Sequence, residues 1–338
     1  MNYAAAPPSI VVLAGGVGGA KFVLGVREAA RRRWGGAAAV TVIANTGDDA
    51  WVSGVRIQPD VDSLLYALAG VNDTVRGWGR ADETERVNAE LVAFGAGWPW
   101  FTLGDLDIAM GVARAGWLRE GLSVSEIVSR LSRRWDLGGV RLLPMTDAIV
   151  ETQVVTVDGT MHFQEWWVRH RAEPYALRFD NGPISDAAPA PGVTEAIGAA
   201  DAILVAPSNP VVSIGPIVAV PGIAEALAIA RGRVVGVSPI IGGHVVRGMA
   251  DACLSAVGSP TSADAVGLRY GARGRFGAYD RDARLGLLDA WLIAEEDAAL
   301  APGLEAAGLP TVVAPLWMND LSRSAALADA ALDAALAA

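Results

Sequence analysis

The chain has 338 residues, 52% of them hydrophobic and 19% charged, and 27 Lys+Arg against 37 Asp+Glu leave a net charge of −10. That much apolar surface excludes intrinsic disorder, and the acidic balance excludes the clustered cations on which nucleic-acid binding depends. A single cysteine, Cys253, excludes an intrachain disulfide and a cysteine-rich zinc site, and no apolar run reaches the roughly 18–20 residues of a membrane span.

Residues 1–8 read as a leader without the basic and apolar regions of a secretory signal, so the expected location is the cytoplasm. Ile10 to Ala14 is a short, continuously apolar run, as expected of a strand buried on both faces. It enters the glycine loop Gly15-Gly16-Val17-Gly18-Gly19, and Ala20 to Arg33 then has helical periodicity. The basic run Arg31 to Arg33 falls late in that helix, where positive charge suits the C-terminal dipole. Val40 to Ala44 is a second buried strand, closed by Asn45 to Asp49, so the chain opens with a βαβ unit.

From about Asp62 to Trp135 the apolar spacing is helical, and its tryptophans (Trp78, Trp98, Trp100, Trp117 and Trp135) read as core residues. Val154 to Val157 and Met161 to Trp167 read as a β-hairpin around Asp158-Gly159. Ala202 to Ala206, Val234 to Val237 and Thr311 to Ala314 are further short strands, and Ser322 to Ala338 is an Ala-rich terminal helix. The expected fold is α/β: a doubly wound, mainly parallel, Rossmann-like sheet. Its single domain spans 9–320, with 62–175 as a helical and hairpin insertion and 321–338 as a C-terminal helix.

In open parallel sheets ligands bind beyond the carboxyl ends of the strands, so the loops after each strand carry the chemistry. The glycine loop offers unpaired N–H groups and a helix dipole to a phosphate, with Lys21 in the first turn. It is neither a dinucleotide fingerprint, because Lys21 stands where the third glycine belongs, nor a Walker A loop, which needs G-K-[ST]. Asp48, Asp49, Asp60 and Asp62 supply the oxygen ligands that suit Mg²⁺ beside a phosphate. Asp105, Asp107, Thr146 and Asp147 fit helix caps or polar ligand contacts equally. His162, His170 and His244 lack metal-ligand spacing, and His244, in a glycine-rich loop, is the one placed to touch a ligand.

Together the strings "GGVGGAKF" (15–22), "ANTGDDAWVSG" (44–54), "PDVDSLLYALAG" (59–70), "LGDLD" (103–107), "LPMTDAIVET" (143–152), "HFQEWWVRHRAEP" (162–174), "APSNPVVSIGPI" (206–217), "SPIIGG" (238–243) and "LDAWLIAEED" (288–297) resemble the 2-phospho-L-lactate transferases of coenzyme F-420 biosynthesis. The resemblance implies an Mg²⁺-dependent transfer of a phosphorylated three-carbon acid. The donor is its guanosine diphospho-linked form, the acceptor is the terminal ribityl hydroxyl of the deazaflavin FO, and GMP leaves. It implies that Asp48 and Asp62 serve the metal or the attacking hydroxyl, with Asp49 beside them at the metal. Gly16, Val17, Gly18, Gly19, Lys21, Ser208, Asn209, Gly242 and Gly243 would hold the nucleotide. Trp51, Phe163, Trp166 and Trp167 would wall the deazaflavin or, as readily, pack in the core, and Asp62 and the insertion 62–175 would lie on the FO side. No protein nucleophile is needed, and Cys253 reads as a small buried apolar residue.

Leu106 stands where many members carry a basic residue, and "HVVRGMADACL" (244–254) with "FQEWW" resembles the actinobacterial, phosphoenolpyruvate-using branch. The stretch 269–286, with five arginines, reads as a flap over an anionic substrate or as a solvated loop. The related morphogenesis-type branch, a nucleotide-binding regulator without F-420 chemistry, is the alternative reading; "WVSG", "PDVD" and "HFQEWW" favour the enzyme. A nicotinamide oxidoreductase is disfavoured by the missing third glycine. A homodimer is the expected assembly.

Overall fold

The structure is a computed structural model that describes residues 6–274 and 286–337; residues 275–285 of the arginine-rich stretch lie outside the described residues. Seven strands form the central sheet: β1 (Ser9–Ala14), β2 (Ala39–Ala44), β3 (Val140–Pro144), β4 (Ala202–Val205), β5 (Arg233–Val237), β6 (Ala290–Ile293) and β7 (Thr311–Val313). Their order is β7-β6-β5-β4-β1-β2-β3, and every neighbouring pair is parallel. The chain steps outward from β1 to β3, then returns to place β4 on the other side of β1. This reversal is the switch point of a doubly wound sheet, and it opens a crevice beyond the ends of β1 and β4.

Alternate residues of each strand serve opposite faces. Ile10, Val12 and Ala14 pack with α1 (Gly16–Trp34), α2 (Pro59–Ala69), the helix Val124–Ser132 and the terminal helix Leu321–Leu336. Val11 and Leu13 pack on the other side with Ile197, Ile214 and Leu227. Both faces are therefore covered, which is why the strands are apolar without alternation. At Gly25 a Cβ would lie 2.2 Å from the carbonyl oxygen of Ser324, so only glycine lets α1 approach the terminal helix this closely. Arg31, Arg32 and Arg33 occupy the last turn of α1, and ion pairs join them to Glu28, Asp329 and Asp333.

Strands β3 and β6 were not legible as strands. β3 carries Arg141 and ends on Pro144, both tolerated because it pairs only with β2 at the sheet edge. It lies inside 62–175, so that stretch contributes a strand to the central sheet as well as the helices Arg86–Ala93, α3 (Asp105–Arg119) and α4 (Val124–Ser132). The hairpin at Asp158-Gly159 is present, but its second strand stops at His162, and a third strand, Ala176–Asp180, completes a small antiparallel sheet. Glu165–Arg169 is a π-helix rather than strand, because it turns Phe163 and Trp166 together onto Val154 and Ala176. Tertiary packing overrides the β preference of these aromatics. Among the described residues no helix is long and apolar enough to cross a membrane.

Candidate active site

Helix α1 starts directly at the end of β1. Its N-cap is Gly15, which has no capping side chain, so the first backbone N–H groups are left for other partners. Two are used inside the protein: Gly15 N–H donates to Ser208 Oγ (3.1 Å), and Gly16 N–H to the Asp60 carboxylate. Ser208 Oγ also donates to the Gly15 carbonyl (2.7 Å), tying the loop after β4 to the loop after β1 across the switch point. Gly19 permits this contact, since a Cβ there would stand 2.5 Å from Ser208 Oγ. Gly16, Val17 and Gly18 remain partly exposed, and Lys21, the only lysine in the chain, is exposed beside them.

Asn45 is the hub of the neighbouring loop. Its Oδ1 accepts from Gly47 N–H (2.8 Å), closing an Asx turn. Its Nδ2 donates to Asp48 Oδ1 (2.6 Å), to Asp60 Oδ2 (2.9 Å) and to the Val212 carbonyl (3.2 Å). One amide therefore joins two carboxylates that are 6% and 5% exposed. Burial raises the Asp48 pKa well above the carboxylate range, and repulsion from Asp60 and Asp49 adds to it. Burial also pushes Asp60 up to about 6, against the hydrogen bonds from Asn45, Gly16 and Ser213. Gln164 Nε2 reaches Asp48 Oδ2 at 3.5 Å from the π-helix side.

Asp49 and Asp62 belong to a different group. Gln58 Nε2 donates to Asp49 Oδ2 (2.6 Å), and the Arg56 guanidinium lies 3.7 Å from the same oxygen. Burial still pushes Asp49 up to about 8. Asp62 pairs with the buried Arg114 of α3 at 2.5 Å, and burial, only partly offset by Arg114, raises its pKa. Residues two apart on a helix lie about 200° apart, so Asp60 faces the glycine loop while Asp62 faces α3. The structure thus brings together Asp48 and Asp60, and not Asp48 with Asp49 and Asp62. No group of three or more His, Cys, Asp or Glu placed for a metal occurs among the described residues.

The remaining expected residues divide by burial. Trp51 is 42% exposed, with the Arg56 guanidinium 5.7 Å from its ring centre. Phe163 (3%) and Trp166 (0%) are core residues, and Trp166 Nε1 donates to the Pro174 carbonyl (2.7 Å), so neither presents a surface. Trp167 is partly buried against Gly248. Asn209 uses its Oδ1 on the backbone of Val211 (2.9 Å). Gly242 and Gly243 form a positive-φ turn in which Gly242 N–H donates to Asp297 Oδ2 (3.0 Å); His244, next to it, is exposed. Cys253 is fully buried and burial pushes its thiol up to about 12, so it is inert. An open groove of about 710 Å³ runs along α4 and β3, and none of its lining residues belongs to the glycine loop or the aspartate pair.

Asn45, Gln58, Arg114 and Gln164 were missed at the sequence level. Asn45 alone carried a signal, as the first residue beyond a buried strand.

Comparisons with known proteins identify the family. A family model for 2-phospho-L-lactate transferase CofD matches residues 10–305. A phosphoenolpyruvate transferase of Thermobifida fusca is 49% identical over 334 residues, covering 97% of this chain and 98% of its own. One of Nocardia farcinica is 46% identical over 335 residues, covering 97% and 95% respectively. Among solved structures, protein BH3568 of Bacillus halodurans, a UPF0052 member, aligns with a TM-score of 0.60 at 20% identity over 96% of this chain and 99% of that one, which shows the shared fold. The chain belongs to the 2-phospho-L-lactate transferase CofD family.

Proposed function

We propose that the protein transfers a phosphorylated three-carbon acid from its guanosine diphospho-linked donor to the terminal ribityl hydroxyl of FO, releasing GMP, in coenzyme F-420 biosynthesis. Enolpyruvate is the favoured acid, because relatives across nearly the full length are named phosphoenolpyruvate transferases. The observation that carries the reading is the buried Asp48–Asp60 pair, joined through Asn45 and set against the N-terminus of α1.

Mg²⁺ is commonly held by one or two carboxylates together with substrate phosphates and water. Asp48 and Asp60 fit it: two buried, mutually repelling carboxylates have only neutral hydrogen-bond donors, and no cationic side chain, as hydrogen-bond partners. Asp49 and Asp62 already have Arg56 and Arg114 beside them. Bound by the pair, Mg²⁺ supplies neutralisation of the diphosphate and of the charge that develops on GMP.

The chain's own residues do the rest. Backbone N–H groups of Val17, Gly18 and Gly19 and the α1 dipole receive the diphosphate, and Lys21 adds a cation at their edge. Ser208 holds the loop in that shape through both of its hydrogen bonds to Gly15. Trp51 presents an aromatic face to the deazaflavin. The acceptor oxygen forms a new P–O bond, the P–O bond to GMP breaks, and the hydroxyl proton leaves with the departing GMP phosphate or to solvent. Positioning and charge stabilisation suffice for such a transfer, in keeping with the inert Cys253.

The test is incubation of the purified protein with Mg²⁺, FO and the enolpyruvyl, lactyl and glyceryl donors in competition, read by product mass. GMP and the enolpyruvyl phosphodiester are expected to dominate; absence of any phosphodiester with all three refutes the reading.

A further inference from the structure

A small, partly enclosed cavity of about 10 Å³ lies beside the 46–49 loop, between Thr46, Asp49, Arg56, Gln58 and Arg114 on one side and apolar side chains of α3, α4 and the Ala148-Ile149 segment on the other. Four buried side-chain atoms of these residues have no hydrogen-bond partner in the protein: Thr46 Oγ1, Asp49 Oδ1, Gln58 Oε1 and Arg114 Nε. In each larger group the other polar atoms are engaged. Asp49 Oδ2 takes the Gln58 amide, Arg114 Nη1 donates to the Arg56 carbonyl (2.9 Å), and Arg114 Nη2 donates to Asp62 (2.5 Å). What remains is a cluster of oxygens and one N–H donor around one space. Buried polar groups left unpaired are costly enough that native proteins satisfy nearly all of them.

The occupant must accept from Arg114 and donate to oxygens at once. Arg56 and Arg114 disfavour a cation, the acceptor oxygens of Asp49 and Gln58 disfavour an anion, and an apolar filler leaves every one of these atoms unpaired. Water alone among small species meets all the demands. It needs two to four polar partners and a space of about one probe sphere, roughly 10–15 Å³, which this cavity just reaches.

We propose that the cavity binds one water molecule, and that through it Arg114 acts as a positioning residue for Asp49 and for the loop that carries Asp48. Arg114 accordingly has two holds on the site, a direct one on Asp62 and a water-mediated one on Asp49. The loop is then gripped from both sides, by Asn45 on the Asp48 side and by the water on the Asp49 side. This gives a fully buried arginine 1% exposed a role that an ion pair with Asp62 alone does not require.

A high-resolution crystal structure tests the site. The expected result is a single spherical density peak within about 2.7–3.2 Å of Arg114 Nε and Asp49 Oδ1. A collapsed cavity whose four atoms pair with one another, or an ion in the water's place, overturns the proposal. The positioning role is tested with Thr46→Val, which keeps the shape and removes a partner, and Thr46→Ser, which keeps the hydroxyl. Thr46→Val is expected to lower kcat about 10–100-fold, the range for outer-shell partners of a metal site, with KM for both substrates and Tm unchanged. Thr46→Ser restores kcat, and Arg114→Lys, which keeps the charge on Asp62 but loses Nε, behaves like Thr46→Val. Equal kcat in all variants overturns the role. The kinetic arm rests on the proposed transfer reaction while the crystallographic arm does not, so failure of the one is distinguishable from failure of the other.

Discussion

Replacing Asp60 with asparagine should stabilise the metal-free protein and disable it. Asp60 is 5% exposed and its pKa is pushed up to about 6 by burial. An unfolded aspartate titrates near 3.9, so the difference of about two pKa units corresponds to roughly 3 kcal/mol of destabilisation when the group is forced to ionise. The sign follows from the raised value. Below about pH 4 the carboxyl is neutral in both states and costs nothing; as pH rises through about 6 the folded protein loses that stability. Asp60→Asn removes the charge and keeps a similar shape, so its metal-free Tm should exceed wild type at pH 8 and match it near pH 4. Asn45 Nδ2 can still donate to the new amide oxygen, which limits any offsetting loss. Transfer activity should fall about 10²–10³-fold, the size of removing one electrostatic group from a reacting centre. Thermal denaturation with and without EDTA across pH 4–8 reads the first effect, and steady-state kinetics the second. A variant less stable than wild type at pH 8, or one with normal kcat, refutes the assignment of Asp60 as a buried carboxylate with no cationic partner at the reacting centre.

Other consequences follow from the same geometry. Gly19→Ala would press its methyl against Ser208 Oγ, which is held by two hydrogen bonds to Gly15; a cost of about 1–3 kcal/mol and a raised KM for the donor are expected, and unchanged kinetics would dissociate the loop from donor binding. Because Lys21 is the only lysine, an amine-directed acylating reagent can modify one side chain, and GDP should protect it; equal labelling with and without GDP would remove Lys21 from the site. Trp51→Ala should raise KM for FO with little change in Tm. Trp166→Ala, in the core, should instead lose about 3–5 kcal/mol of stability, and equal loss of stability in both would contradict the exposed role of Trp51.

Much of the fold was legible because strands buried on both faces are written as uninterrupted apolar runs, as Ile10 to Ala14 and Val40 to Ala44 are. Strand β3 escaped because a sheet edge tolerates Arg141 and Pro144, which read as interruptions. The glycine loop, the aspartate loop and "PSNP" were legible from one rule, that ligands gather beyond strand ends. Which aspartates converge was not legible from spacing read as a cluster. Asp60 and Asp62 are close in sequence, yet the helix turns them to opposite sides, one to Asn45 and one to Arg114. Arg114 lies 52 residues from the carboxylate that it meets, and only the packing of α3 brings the two together. Asn45, Gln58 and Gln164 carry no charge pattern, so their roles emerge only once the loops are folded. For Phe163 and Trp166 the sequence left ligand wall and core packing equally open, and the small sheet uses them as its core.

The metal assignment can be tested directly by crystals of the protein grown with GDP and Mn²⁺ in place of Mg²⁺, measured at the manganese absorption edge. The account predicts one anomalous peak bonded to carboxylate oxygens of both Asp48 and Asp60 and to a phosphate oxygen of GDP. A peak held by Asp49 or Asp62 instead, or GDP bound with no metal beside the glycine loop, would contradict it.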